Sequence, residues 1–434
     1  MTKIKRIVFF IPVFLLYCST TQIVIREEQP NAQIPEAAEL SAVPDSLTPD
    51  QPVISGVENF LENYIYLVEG KRVGLVTNPS AIDRNFKLTT DLLYKNPNIN
   101  LTTLFAVEHG IRGDASAGKI ISDQTDPKTG LPVFSLYGKT KKPTKEMLQN
   151  IDVIIFDMQD VGVRSYTYIS SMGMIMEAAA ENSIEMIVLD RPNPLGGIEV
   201  EGNILKKENK SHIGYYSIPY RHGMTIGEIA QMYNAEDSIG AHLTIIPVLN
   251  WRRDMLWDQT RLPWIPTSPH IPHWKTALFL PMTGTIGELQ VVSVGVGYTS
   301  PFELIGAPWI NADTLADSLN NLNLAGLWFQ PVHFKPYYAK YKDESCHGVQ
   351  IYITNPQVYK PFVGGLYILK TLMHLYPDHN FFESKERVKS FNLVMGGPEI
   401  YQGLISLKKV EQIEQDWQDD LNRFLRVRKK YLLY

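Results

Sequence analysis

Residues 151–157, Ile-Asp-Val-Ile-Ile-Phe-Asp, form a nearly continuous β-branched and aromatic run without alternation. A strand of that kind belongs in a parallel sheet covered on both faces. A Met- and Ala-rich stretch suited to a helix follows at about 170–181, and a second apolar run, Met-Ile-Val-Leu-Asp, occupies 186–190. Strand, helix and strand at this spacing make a βαβ unit, which closes parallel and right-handed. Further strands are expected at 71–78, 101–107 and 243–249, with a short extended segment at 132–137. Helices are expected at 57–64, 91–94 and 224–233, the last with a capping box in Thr225 and Glu228. The N-terminal half therefore reads as an α/β, doubly wound, mostly parallel sheet.

From about residue 306 the pattern changes to a smaller α+β C-terminal domain. Helices are expected at 313–322, 364–376 and 408–428, and extended segments at 329–336 and 349–354. This division gives domains of 53–305 and 306–434, in keeping with a chain of 434 residues, too long for one ordinary domain. Residues 138–150 look like a polar helix. The Pro-rich stretch 263–281 is expected to lack regular structure. Trp251, Trp257, Trp264 and Trp274 in and before that stretch argue for a functional loop that stacks on a ligand. Residues 291–303, VVSVGVGYTSPFE, look like a strand.

The first 18 residues stand outside the fold. Lys3, Lys5 and Arg6 precede an apolar run too short for an ordinary transmembrane helix, which is the pattern of an export signal. Cys18 after Leu-Leu-Tyr resembles the lipid-bearing cysteine of a bacterial lipoprotein, although Tyr17 stands where a small residue is usual. The reading is an exported protein, periplasmic or anchored to a membrane through Cys18, with 19–52 as a disordered tether. Of two cysteines, one lies in this signal, which excludes a disulfide scaffold and a cysteine zinc site. A net charge of −5 without a basic run after the N-terminus speaks against nucleic acid as a partner.

In an open α/β sheet, ligands bind in the crevice at the carboxyl ends of the strands. Three strands deliver polar groups there. Glu108, His109 and Arg112 follow the run 101–107, Asp160, Arg164 and Tyr166 follow 151–157, and Asp190, Arg191 and Asn193 follow 186–190. Arg221 and His222 lie just ahead of the helix at 224–233. Any one Asp of this set is as well suited to capping a helix. Arg112 is equally placed to pair with Glu108 or to grip a substrate carboxylate. The four arginines, Arg112, Arg164, Arg191 and Arg221, offer bidentate recognition of a carboxylate, with one or two of them expected to be structural. His270 and His273 lack the helical spacing of a zinc pair, and no metal is expected. A G-x-S-x-G elbow and a Walker loop are missing, and Gly295-Val296-Gly297 is too weak a signal for a dinucleotide site, so no cofactor is expected.

Five segments together, EHGIRGDASAG, FDMQDVGVRSYTYISSMGMIMEAAAE, VLDRPNPLGG, PYRHGMTIGEIA and PFELIGAPW, resemble the exo-β-N-acetylmuramidase family of bacterial cell-wall glycosidases. The resemblance runs in order over about residues 55–434. It implies a Rossmann-like N-terminal domain, a smaller C-terminal domain and a cleft between them. It also implies release of terminal N-acetylmuramic acid from the non-reducing end of peptidoglycan fragments or muropeptides, without metal or nucleotide. Glu108, in the EHG motif, is the implied catalytic acid. The chain departs from the family pattern at GELQVVSVGVGYTSPFE, where Glu288 keeps the acid but Val291 and Val296 replace an Asn and an Arg.

Glycoside hydrolysis ordinarily needs a second carboxyl group. Glu288, Asp160 and Asp190 are the candidates, in that order. One or two of the arginines would read the lactyl carboxylate of muramic acid. The rival readings are a lipoprotein that binds a muropeptide or glycan without cutting it, with Glu108 in a structural pair, and an esterase or amidase, which lacks a nucleophile elbow.

Overall fold

The structure is a computed structural model that describes residues 51–434 apart from 109, 114–123 and 139. The export signal, Cys18 and most of the tether therefore lie outside the described residues, as does His109. Strands β1 (Arg72–Thr77), β2 (Asn100–Ala106), β3 (Gln124–Thr125), β4 (Pro132–Ser135), β5 (Val153–Asp157), β6 (Glu185–Leu189) and β7 (Leu243–Ile246) make one sheet. Their order is β3-β4-β2-β1-β5-β6-β7, and only the short edge strand β3 runs antiparallel. The chain builds outward from β1 on one side and then returns to add β5 on the other. The order of strands thus reverses between β1 and its two neighbours. Thr77 is in register with both Ala106 and Asp157, so the loops leaving these three central strands emerge together.

Both faces of this sheet are covered, which accounts for the absence of alternation in the 151–157 run. Ile154 and Phe156 pack with α3 (Thr167–Glu181) and α4 (Ile226–Glu236), whereas Val153 and Ile155 pack with Val57 and Phe60 of α1 (Gly56–Asn63) and Leu93 of α2 (Thr89–Lys95). The capping box at Thr225 and Glu228 is formed as expected.

Of the expected polar helix at 138–150, residues 140–150 are irregular and end in turns at 145–150. After α5 (Trp257–Thr260), the Pro-rich stretch does hold regular structure, contrary to expectation. Once past Pro272 the chain forms α6 (Trp274–Phe279), which runs on through a wide turn of π type at Leu280–Gly284 that takes in Pro281. Helix α7 (Thr285–Gly287) follows. Residues 291–303 are a chain of turns, joined to strands through the bridge of Ser293 to Gly306 and the Ile351 N–H, which donates to the Glu303 carbonyl at 2.9 Å. A second, antiparallel sheet orders β8 (Leu304–Ala307), β10 (Cys346–Ile353) and β9 (Leu327–Phe334) as β8-β10-β9. Helices α8 (Ala312–Asn320), α9 (Pro361–Leu375), α10 (Lys385–Met395) and α11 (Glu399–Ile405) surround it. The expected last helix is two, α12 (Val410–Gln415) and α13 (Gln418–Arg428).

One apolar cluster joins this region to the first sheet's loops, running from Val161, Val163 and Tyr220 through Met282 and Ile286 to Phe362 and Trp417. Polar ties reinforce it. Buried Glu201 accepts the backbone N–H groups of Phe362 and Val363 at 3.2 and 2.8 Å, at the start of α9. The Tyr434 hydroxyl donates to Asp190 at 2.6 Å and accepts from the Val248 N–H at 2.9 Å. Burial pushes the Asp190 carboxyl up to about 6 and that of Glu201 up to about 7.

A raised carboxyl pKa in the folded state means that the folded chain holds more protons than the unfolded chain between the two pKa values. Stability is then full at the acid end of that window and declines as pH rises through it. Urea denaturation should show unfolding free energy falling from about pH 4 to about pH 7, and Glu201→Gln should flatten the upper part of that decline.

Candidate active site

Glu108 follows β2 and is half-buried at the reversal of strand order. Two hydroxyls hold it. Tyr137, beyond the end of β4, donates to Oε1 at 2.9 Å, and Thr167, in the first turn of α3, donates to Oε2 at 2.9 Å. Both carboxylate oxygens are thus oriented by neutral donors, beside the positive end of a 15-residue helix. Among the described residues no arginine binds Glu108. Arg112 makes a bidentate pair with Asp126, 2.8 Å on each arm, and reaches Asp91 at 3.4 Å. That pairing pulls Asp126 down to about 2. His212 lies nearby, its ring centroid 6.5 Å from that of Tyr137. Burial and Lys141 pull its pKa down to about 4, and neither nitrogen has a hydrogen-bond partner among the described residues.

Tyr168 sits between Glu108 and Asp160 electrostatically and feels both. Its hydroxyl donates to the Thr267 carbonyl, while the Tyr166 hydroxyl bonds Thr267 Oγ1 at 2.7 Å. These two bonds tie the start of α3 to the 263–271 loop. Tyr166 also lines a cavity of about 200 Å³. Ser165, Tyr166, Tyr220, Ser268, His270 and Glu288 give it polar walls, with Ile213, Leu280, Phe302 and Val394 between them. The volume is below the range usual for drug-sized ligands and suits one small ring. Glu288 makes no hydrogen bond among the described residues, and burial raises its pKa against the opposing effect of Arg387. Larger hollows of about 420 and 620 Å³ flank residues 203–208 and the C-terminal helices, where Lys206 and Glu399 already pair. They meet none of the strand ends.

Most of the expected substrate contacts have protein partners in the structure. Arg191 is buried against Asp157, with Nε to Oδ1 at 2.5 Å and Nη2 to Oδ2 at 2.9 Å, and also donates to the Ile82 carbonyl. Arg164 is buried and donates to the carbonyls of Asn203, Ile218 and Val394; burial alone brings it down to about 10. Arg221 is buried with Nη2 on the Leu195 carbonyl. Asp190 accepts from Thr225 Oγ1, the N–H groups of Arg191 and Gly227, and Tyr434, so neither of its oxygens is open to a ligand or to catalysis. Asn193 spans the Met224 carbonyl and the Leu195 N–H. These groups brace loops.

Asp160 accepts from the Gly162 N–H at 2.7 Å, and its buried Oδ1 has no partner. His222 accepts the Met224 N–H at Nδ1 and points Nε2 at Asp160 Oδ2, 3.5 Å away. Both are enclosed. The expected stacking tryptophans are also mostly withdrawn: Trp251 and Trp257 are buried, and Trp264 packs edge-on against Trp257 at 5.0 Å.

Of the expected set, then, Glu108, Tyr166 and Glu288 meet accessible space without being tied up in an ion pair, Arg112 is partly exposed but paired, and Arg191 borders a small crevice with Ser80, Gln159 and Trp264. Tyr137 and His212 were not anticipated; an aromatic at the end of the 132–137 run was the one available signal for the first. Arg387, in the first turn of α10, was also missed. Its guanidinium makes no salt bridge or hydrogen bond among the described residues. It lies seven residues before Val394, hence on the same helical face, and α10 packs on α7 just ahead of Glu288.

Models for the N-terminal and C-terminal parts of the exo-beta-N-acetylmuramidase NamZ match residues 73–275 and 278–434. Peptidoglycan beta-N-acetylmuramidase NamZ of Bacillus subtilis (strain 168) is 46% identical over 397 residues, covering 91% of this chain and 95% of its own. Two crystal structures of DUF1343 family proteins from Bacteroides fragilis NCTC 9343 share the fold. The first is 45% identical with a TM-score of 0.85, and the second 30% identical with a TM-score of 0.69. Each alignment covers 88% of this chain and 99% of the other.

If Arg191 braces the loops, its loss strands Asp157 as a buried, unpaired charge. Arg191→Ala should cost about 3–5 kcal/mol in urea denaturation. A variant that unfolded like the parent protein and merely raised KM would restore the substrate-binding role.

Proposed function

The chain belongs to the exo-beta-N-acetylmuramidase NamZ family, and we propose that it hydrolyses the bond of a terminal N-acetylmuramic acid at the non-reducing end of peptidoglycan fragments. The observation that carries this reading is a carboxyl group, Glu108, held by two hydroxyls at the reversal of the sheet. Ser165 and Tyr166 line a cavity that suits one sugar ring and the next residue, Thr167, holds Glu108, so the start of α3 connects cavity and acid.

Glu108 gives its proton to the glycosidic oxygen as the bond breaks. The hydroxyls of Tyr137 and Thr167 then stabilise the carboxylate that remains. Glu288 takes the part of the second carboxyl, because it faces the cavity and makes no hydrogen bond that would hold it away. Asp160 is enclosed and acts on the site only through its electrostatic effect on Tyr166 and Tyr168. Arg387 is the cation that reads the lactyl carboxylate, since Arg112, Arg164, Arg191 and Arg221 are committed to protein groups. The same reading makes the protein exported, with Cys18 lipidated and 19–52 as its tether. Cys18→Ser would then move it from the membrane to the soluble fraction.

Glu108→Gln keeps the shape of the side chain and removes the proton. Release of muramic acid from a muramyl-glucosaminyl disaccharide should fall about 10²- to 10⁴-fold with an unchanged unfolding transition; retained turnover would sink the assignment. Arg387→Ala should raise KM for muramic acid substrates about tenfold and leave N-acetylglucosaminides, which lack the carboxylate, unaffected. Equal effects on both would remove Arg387 from carboxylate recognition.

A further inference from the structure

The cavity suits one ring, so the rest of a saccharide chain must lie on a surface outside it. The Gly295-Val296-Gly297 segment leads to that surface. Gly297 has φ +93°, and a Cβ there would come within 2.0 Å of the Tyr338 carbonyl oxygen, so only glycine lets the two loops approach. The Tyr337 N–H donates to the Gly297 carbonyl at 2.7 Å. The ring of Tyr298 stacks on Tyr337 at 5.7 Å and 24°, and Phe334 backs it at 5.5 Å. Tyr338 in turn stacks with His270 at 6.3 Å and 24°, and His270 is part of the cavity wall.

Tyr337 and Tyr338 are nonetheless 64% and 50% exposed. Three nearby non-glycine residues, Ala339, Tyr341 and Asp343, have φ of 64°, 61° and 61°. Backbone held in that region is strained, and it persists where the surroundings over-determine it. Here Asp343 N–H donates to the Pro336 carbonyl at 2.8 Å, and the Tyr341 hydroxyl joins the Val291 carbonyl to Trp309. Two large rings are thus kept in water on a rigid support that starts at the cavity wall.

We infer that Tyr298, Tyr337 and Tyr338 form a ledge that binds the pyranose rings of the leaving saccharide. A β-linked pyranose carries its axial C–H groups on flat faces, which match exposed aromatic rings and need no charge. Continuity through His270 with a single-ring cavity selects this occupant: on an exo-acting enzyme only the leaving side continues beyond the cavity. The inference therefore rests on the proposed function.

The test compares a muramic acid-terminated tetrasaccharide with an aryl β-muramide that has no further ring. Tyr337→Ala and Tyr338→Ala should lower kcat/KM for the tetrasaccharide about tenfold more than for the aryl muramide, through KM. Gly297→Ala, which drives the loops apart, should do the same. Tyr352→Ala, an exposed ring on β10 away from the ledge, should leave both substrates unchanged. Equal losses on both substrates, or none, would overturn the ledge. A wild-type protein that turned over neither substrate would sink the proposed function instead. The ledge is then judged by titrating N-acetylchitotetraose into the wild-type protein and watching tyrosine fluorescence. Saturable binding weakened about tenfold in Tyr337→Ala supports it, and unaltered or absent binding overturns it.

Discussion

The bidentate pair between Asp157 and Arg191 is the tie on which the carboxyl edge of the sheet depends. It joins the end of β5 to the loop after β6, and through Thr89 and the Ile82 carbonyl it reaches the loop between β1 and α2. Two charges taken out of water at this depth cost several kcal/mol each, which is offset only because every arm finds a partner. The return is specificity of position. Around this pair, Asp190, Arg164 and Arg221 fix further loops on backbone carbonyls and amides. What these braced loops leave open is the small region where Glu108 and Glu288 remain accessible.

That division explains what the sequence could and could not disclose. The central strands were legible because burial on both faces imposes an uninterrupted apolar run, and Ile154 and Ile155 indeed meet opposite layers. The position of Glu108 at the carboxyl edge was legible because it follows the apolar run 101–107, which forms a central parallel strand. The arginines were not. Arg164 and Arg387 have the same chemistry, and only the carbonyls of Asn203, Ile218 and Val394 make one a brace and leave the other unpaired. Those carbonyls come from three distant segments and carry no sequence signal. For the same reason the prolines of 263–281 misled. Their effect depends on where in a turn each one falls, and Pro281 falls where a helical turn tolerates it.

Glu108 and Glu288 illustrate how two carboxyls of one chain acquire different surroundings. Glu108 is held at both oxygens by neutral hydroxyls and is spared a cation, because Asp126 and Asp91 hold Arg112. Glu288 has no such donors, and burial favours its neutral form, opposed by Arg387. A bound carboxylate near Arg387 would screen that cation and favour the neutral form of Glu288 further. A lactyl group is thus able to act on the electrostatics of the site as well as on affinity.

The ledge and the cavity place opposite demands on the chain. A cavity for one ring needs enclosure, which the apolar cluster from Val161 to Trp417 supplies by joining the two sheets' surroundings into one core. An exposed aromatic surface needs support without burial, and a regular strand cannot give that, because alternate side chains would turn away from the chain being bound. The turns of 291–303 and the left-handed residues at 339, 341 and 343 place adjacent rings Tyr337 and Tyr338 in solvent together, each stacked against a different neighbour. The segment that fails to form the expected strand is therefore the one that can build the ledge, and Gly297, which would weaken a strand, is the residue its geometry requires.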